Sequence, residues 1–315
     1  MAEEKTIHVR VPGTSANCGP GFDTLGLACT IYNDLEIAFR PEPVFDIEIT
    51  GEGATGIPRD ATNVVWTSAQ YLLKQAGREK DFLGAMMRMH NRVPVSRGLG
   101  SSAAAIVAGL KAANVWIGNP FSRRDLLQFA TAIEGHPDNV APAIFGGFTV
   151  NIQADGGETE CFSFLPKLRL KLVVAVPDFP LATKKAREVL PKLIDRQDAV
   201  FNAGRVGMMI AALVQGRERY LKHVFEDRLH QPYRQSLIPG MPKVLAAAKE
   251  AGAIGASLSG AGPCLIAFVL QEKQVSREVG EAMRQAFLEA GVASRYLLLD
   301  LDTKGAHVVD TVQKA

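Results

Sequence analysis

The sequence holds only four cysteines, Cys18, Cys29, Cys161 and Cys264, and no two of them form a C-x-x-C pair. Scattered thiols without paired spacing argue against a zinc site and against a disulfide framework, and they point to a reducing, cytoplasmic setting. Net charge is also scarce. The 35 Lys and Arg less the 33 Asp and Glu leave +2, which gives no electrostatic footprint for a nucleic acid or a membrane surface. Apolar runs such as Leu265–Leu270 are far too short to span a bilayer. Met1–Lys5 is polar and acidic, and no secretory apolar core follows it. His8, His90, His223, His230 and His307 lack metal-ligand spacing, and neither a G-x-S-x-G elbow nor an H-E-x-x-H pair occurs, so zinc and serine-hydrolase chemistry have no support. No repeat, low-complexity tract or long linker is present.

What remains is ordinary for a soluble globular protein: 47% hydrophobic and 22% charged residues in 315 positions, enough for about two domains of ~150 residues. Alternation predicts strands at Thr6–Val11, Asp34–Arg40 and around Phe45–Ile49, paired antiparallel, with a loop over Val11–Gly21. Helical spacing predicts a helix over Asn63–Ala76, then a strand over Leu83–His90. Further helices are expected from Ser101 to about Trp116, from Ser122 to Glu134, and from near Asp138 towards Phe145. A strand through Ile152 follows. Composition shifts after the turn Asp155–Glu158. The second half reads as strands at 170–176, 253–258, 264–270 and 295–300, with helices at 184–190, 198–215, 242–251 and 276–290. This is a mixed α+β chain with a boundary near residue 165, giving domains 1–165 and 166–315.

The stretch with the most chemistry in it is Pro94-Val95-Ser96-Arg97-Gly98-Leu99-Gly100-Ser101-Ser102-Ala103. Glycines and hydroxyls lead straight into an alanine-rich helix. Such a turn lets main-chain N–H groups face inward, and the helix start adds unpaired donors and partial positive charge. This predicts a phosphate site. Gly98-x-Gly100-x-x-Ala103 formally matches the dinucleotide fingerprint, but Pro94 and Arg97 interrupt the approach and positions 118–123 carry no acid. The G-K-[ST] ending of a P-loop is missing too. A purely structural reading, a tight turn capping a helix, stays open on this segment alone.

Three stretches together change that. Pro94–Ala104 resembles the phosphate-binding motif of the GHMP small-molecule kinases. Val11-Pro12-Gly13-Thr14-Ser15-Ala16-Asn17-Cys18-Gly19-Pro20-Gly21-Phe22-Asp23 resembles their first motif, and Gly255–Pro263 resembles their third. Order and spacing agree. Within the family, Glu134–Pro142, Thr183–Arg187 and His230–Arg234 resemble the homoserine kinase branch. The resemblance implies an α+β, two-domain fold, with a ribosomal-protein-S5-like N-terminal domain, a ferredoxin-like C-terminal domain and a cleft between them. It implies ATP, Mg2+ and L-homoserine as ligands, with a homodimer compatible with the family. The alternatives are another GHMP small-molecule kinase, or a non-catalytic sensor of the same fold.

By the same resemblance, Pro94, Ser96, Arg97, Gly98, Leu99, Gly100, Ser101, Ser102 and Ala103 cradle the nucleotide phosphates, and Asn63 helps hold adenine. Asn63 could equally cap its helix. Ser102 and Glu134 match the metal ligands. Magnesium prefers hard oxygens and keeps several waters, and an acid at a helix C-terminus is unfavourable without a cation. Asp138 and Asn139 match the catalytic positions at the acceptor hydroxyl, although Asp138 could also be a helix cap. His136, Asp138 and Asn139 face the substrate. Arg187 and Arg234 match a carboxylate clamp, whose forked donors suit a carboxylate. Asn17 and Asp23 match ammonium and backbone contacts, with Thr183 nearby. Ser259 and Gly260 line the cleft, unless Gly255–Gly262 is simply a hairpin turn.

Overall fold

Strands β1 (Ile7–Ala16) and β2 (Leu25–Arg40) form the spine of the first sheet in the computed structural model, which describes residues 5–310. Ile7, Val9, Leu35 and Ile37 are buried while His8, Arg10, Asp34 and Glu36 are more exposed, the period of two that a half-buried strand requires. The expected loop over Val11–Gly21 is corrected for its first half. β1 continues to Ala16 because a register shift between Pro12 and Gly13 absorbs the irregular residues, and Gly13–Ala16 pair with Gly26–Cys29. β3 (Phe45–Gly51) and β4 (Gly84–Asn91) extend the sheet. They pair parallel with each other, and β4 lies between β3 and β2, so the direct antiparallel pairing expected between Phe45–Ile49 and Asp34–Arg40 does not form. A parallel pair needs a crossover, and the connection supplies one in α1 (Val64–Gln75). β5 (Phe148–Gln153) and β6 (Thr159–Phe164) form a hairpin on the early part of β2.

α1, α2 (Ser101–Trp116), α3 (Arg123–Glu134) and α4 (Pro137–Phe145) share one core with this sheet. α2 is central because its side chains are small. Ala103, Ala104, Ala108, Ala112 and Ala113 are all buried, and a Cβ on Gly109 would stand 2.1 Å from the Val65 carbonyl oxygen. α1 and α2 can pack closely only with glycine there.

β7 (Leu170–Pro177), β8 (Gly255–Leu258), β9 (Leu265–Leu270) and β10 (Ser294–Asp300) build a second, antiparallel sheet in the order β10-β7-β9-β8. Its connections carry α5 (Thr183–Glu188), α6 (Arg196–Gln215), α7 (Gln231–Arg234), α8 (Met241–Glu250) and α9 (Ser276–Glu289). α8 and α9 cover one face of the sheet through Val244, Met283 and Phe287. The other face shares a core with α6 and with Leu25, Leu27 and Cys29 of β2. That shared core holds the two halves at a fixed spacing. β11 (His307–Asp310) then returns to the first sheet and pairs antiparallel with β1. The sequence reading contained no strand there, nor any over 25–33 or 159–164.

Candidate active site

The three glycine-rich motifs meet in one cleft between the sheets. Thr14 N donates to Leu99 O (3.0 Å), Gly260 N to Ala16 O (3.2 Å) and Cys264 N to Arg97 O (3.1 Å). Ser259 Oγ donates to the Gly98 carbonyl (2.6 Å) and is hydrogen-bonded to Ser15 Oγ (2.8 Å). The Asn17 amide spans two motifs, donating to Gly260 O (2.9 Å) and accepting from Asp23 N (3.0 Å).

Ser96, Gly98 and Gly100 have φ of 55°, 80° and 68°, a region in which glycine alone is unstrained. A Cβ at Gly100 would stand 1.9 Å from Thr14 Oγ1. Gly100 precedes α2, and no side chain caps that helix. The first-turn N–H groups are therefore free for an anion, and the helix end favours negative charge. Ser102 Oγ donates to Glu134 Oε2 (3.1 Å) across this floor. Burial raises the Glu134 pKa, against the opposing pull of His136 and the Ser102 hydroxyl. Glu134 forms no ion pair among the described residues. Two hard oxygens in contact, one of them a desolvated carboxylate without a cation, suit a hydrated divalent ion. No group of three or more His, Cys, Asp or Glu side chains converges on a metal position among the described residues.

α4 starts differently from the cap reading of Asp138. His136 occupies the N-cap position and Pro137 the first helical turn, where its fixed φ and missing N–H cost nothing. Asp138 is thereby turned inward and buried. Its Oδ1 accepts from His136 Nδ1 (2.6 Å) and from Asn139 Nδ2 (3.3 Å). Burial alone would lower the His136 pKa, but the bond to Asp138 and its charge outweigh burial and leave it raised. Asn139 Oδ1 accepts from Thr14 Oγ1 (2.9 Å), so both ends of that amide are oriented.

Arg187 makes a forked contact to Asp23, Nη1 to Oδ2 at 2.9 Å and Nη2 to Oδ1 at 2.7 Å. The hydrogen bonds it donates to Asp23 raise its pKa. Arg234 is 2% exposed. Its Nε donates to Ala186 O (3.0 Å), and Nη1 to Gly260 O (3.1 Å) and to His230 Nδ1 (3.2 Å). His230 Nε2 lies 2.7 Å from Gly19 O. A carbonyl only accepts, so the proton sits on Nε2 and Nδ1 is the acceptor that Arg234 uses. No carboxylate pairs with Arg234 among the described residues. Burial, then the nearby Arg187, push its pKa down to about 10, which still leaves it a cation at neutral pH.

The sequence comparisons fit this geometry. Residues 63–147 match the family model described as GHMP kinases N terminal domain, and residues 209–289 match the one described as GHMP kinases C terminal. A homoserine kinase of Moorella thermoacetica is 45% identical over 284 residues, 90% of this chain and 93% of that protein. A homoserine kinase of Carboxydothermus hydrogenoformans is 43% identical over 302 residues, 95% of this chain and 96% of that one. The chain belongs to the homoserine kinase branch of the GHMP kinases. The crystal structure of homoserine kinase from Cytophaga hutchinsonii superposes on this kinase with a TM-score of 0.86 at 31% identity, covering 98% of both chains.

Most residues expected at the site of this kinase face the cleft, among them Ser96, Arg97, Ser101, Thr183 and Gly260. Pro94, Leu99, Ala103 and Ser259 stand behind its wall, Leu99 fully buried. Arg97 spends its guanidinium on the Pro177 and Val95 carbonyls. Asn63 is a cap: Oδ1 accepts from Val65 N (2.9 Å) and Nδ2 donates to Pro58 O (2.7 Å). Its second N–H points at Met89 Sδ (3.7 Å), and around it the cleft wall is the apolar set Ile57, Pro58, Val64, Met89 and Val95. Of these only Val95 falls within a motif. Asp227 also escaped the sequence reading. Its carboxylate accepts from the N–H groups of Leu229, His230 and Gln231 and from Asn202 Nδ2, and so fixes the segment that ends in Arg234. An aspartate accepting from N–H groups two and three residues on is a turn signal visible in sequence.

Proposed function

We propose that this kinase transfers the γ-phosphoryl group of ATP to the side-chain hydroxyl of L-homoserine, giving O-phospho-L-homoserine, a step of threonine biosynthesis. The observation that carries the reading is Arg234. A buried guanidinium held only by carbonyls and an imidazole is incomplete, and an α-carboxylate completes it. Beside it, the Asp23–Arg187 pair offers a carboxylate for the ammonium of the same zwitterion. Across the cleft lies the glycine loop for the phosphates. The free thiols of all four cysteines fit a reducing cytoplasm.

Phosphoryl transfer asks mainly for positioning and charge stabilisation. The N–H groups of Gly98–Ser102 hold the phosphate oxygens. Arg234 and Asp23 fix the amino-acid end, which leaves the hydroxyl beside Asn139 and Asp138. Asp138 Oδ1, already hydrogen-bonded by His136 and Asn139, accepts the hydroxyl proton late in the transfer, when a loose transition state asks for little base strength. Ser102 Oγ and the Glu134 carboxylate would hold Mg2+, which when bound neutralises phosphate charge.

The direct test is ATP consumption with L-homoserine, L-serine, mevalonate and galactose as acceptors. Turnover should be fastest with L-homoserine, and a preference for any of the others would overturn the assignment. Glu134→Ala should lower kcat at least about 100-fold and move the Mg2+ dependence to higher concentration, as the loss of several kcal/mol of charge stabilisation requires. A variant with wild-type kcat and wild-type Mg2+ dependence would remove Glu134 from the metal site.

A further inference from the structure

Phe22 lies on the loop that leads into Asp23 and does not line the cleft, yet the site's cations gather round its ring. The Arg187 guanidinium carbon is 5.5 Å from the ring centroid and that of Arg234 is 5.3 Å from it. The His230 imidazole stacks on it with centroids 5.3 Å apart at 26°. Each group is also held elsewhere: Arg187 by Asp23, Arg234 by the Ala186 and Gly260 carbonyls, His230 by Gly19. One ring is thus the common neighbour of the two forks and of the imidazole that orients one of them.

The two guanidiniums lie 5.5 and 5.3 Å from the same ring centroid, so two like charges stand near each other and repel, and that of Arg234 is buried. The faces of an aromatic ring carry negative quadrupole density and attract cations within about 6 Å of the centroid. An aliphatic side chain of the same size fills the space but provides no such field. We propose that Phe22 is a positioning residue for the substrate carboxylate: its ring holds the Arg187 and Arg234 forks at the spacing an amino-acid carboxylate needs and offsets their mutual repulsion. The proposal rests on the homoserine reading above. It sets a requirement for an aromatic ring, beyond a requirement for bulk.

The test varies the ring's electrostatics at constant shape. Phenylalanine analogues carrying one, two and three ring fluorines, placed at position 22 of the full chain, weaken the quadrupole stepwise. The KM for L-homoserine should climb through the series to about tenfold with the trifluoro ring, while the KM for ATP and the thermal midpoint stay at wild-type values. Phe22→Leu should match or exceed the trifluoro effect, and Phe22→Tyr should stay within about twofold of wild type, since tyrosine keeps the π face. A flat fluorine series overturns the proposal. So does a rise of both KM values together. A wild-type chain that fails to turn over L-homoserine overturns the homoserine reading and this inference with it. A wild type that works alongside a flat series overturns only the role of Phe22.

Discussion

Arg234→Leu is expected to raise the KM for L-homoserine by about 100- to 1,000-fold while the KM for ATP stays within about threefold. Removing one partner of a buried charged hydrogen bond costs about 2–5 kcal/mol, and the upper part of that range corresponds to a rise of that size. Arg234 belongs in that upper part because it is almost fully buried and has no carboxylate of its own. Leucine also abandons the carbonyls of Ala186 and Gly260 and the His230 Nδ1 lone pair. Arg234→Lys should recover little, because an ammonium has no planar fork. Arg187→Leu should be milder. That side chain is about one-third exposed at 36% and is already paired with Asp23, so water can replace part of what it gives. Equal changes in both KM values for Arg234→Leu would show that the residue merely supports the fold.

Gly98→Ala is expected to cut kcat/KM for ATP at least about 100-fold. The new Cβ would stand 2.2 Å from the Ser259 carbonyl oxygen and 3.0 Å from both the N and O of Gly262. All three are backbone atoms and cannot rotate away. The φ of 80° at Gly98 adds strain for any residue with a Cβ. The loop must therefore move by tenths of an ångström or more. In doing so it loses the Ser259 hydroxyl bond to Gly98 O and the Cys264–Arg97 bond. Donors misplaced by about 1 Å lose about 100-fold in rate. Gly77→Ala is the matched control. Its φ of 68° is also left-handed, but a Cβ there meets nothing within 4 Å, so stability should fall slightly and kinetics should hold. Steady-state rates and thermal melts on both variants separate steric loss at the site from general backbone strain. An active Gly98→Ala enzyme would mean that this loop does not hold the phosphates.

The glycine loop, the α-rich packing behind it and the two-part α+β plan were legible because each depends on short-range pattern. The acceptor residues were legible only through resemblance, since Asp23, Asp138, Arg187 and Arg234 are far apart in sequence and no periodicity links them. Three features resisted for distinct physical reasons. The second half of β1 looks like a loop because Pro12, Gly13 and Ser15 are turn formers, yet tertiary pairing with β2 overrides composition. The direction of β3 against β4 depends on a crossover 32 residues long between them, which local alternation cannot report. Asn63 lines the cleft and at the same time caps α1, through Val65 N and Pro58 O, and such a double placement is invisible in a string of letters. Phe22 lies in the first motif with no role assigned to it there, and Asp227 lies in none of the motifs. Their importance comes from what stands around them.

The return of β11 to β1 has a consequence for how the molecule is made. Chains generally assemble from the N-terminus as they leave the ribosome. β1 is the earliest strand among the described residues to emerge, but among those residues its outer edge is covered by 307–310 alone. Between them, the whole second sheet with its helices must be synthesised. The first lobe therefore cannot seal its own sheet ahead of the second, and an open strand edge persists through most of translation. The order of completion runs opposite to the order of synthesis. Ribosome-stalled chains ending before residue 300 should accordingly show a protease-sensitive first lobe even when every residue of the cleft is already present.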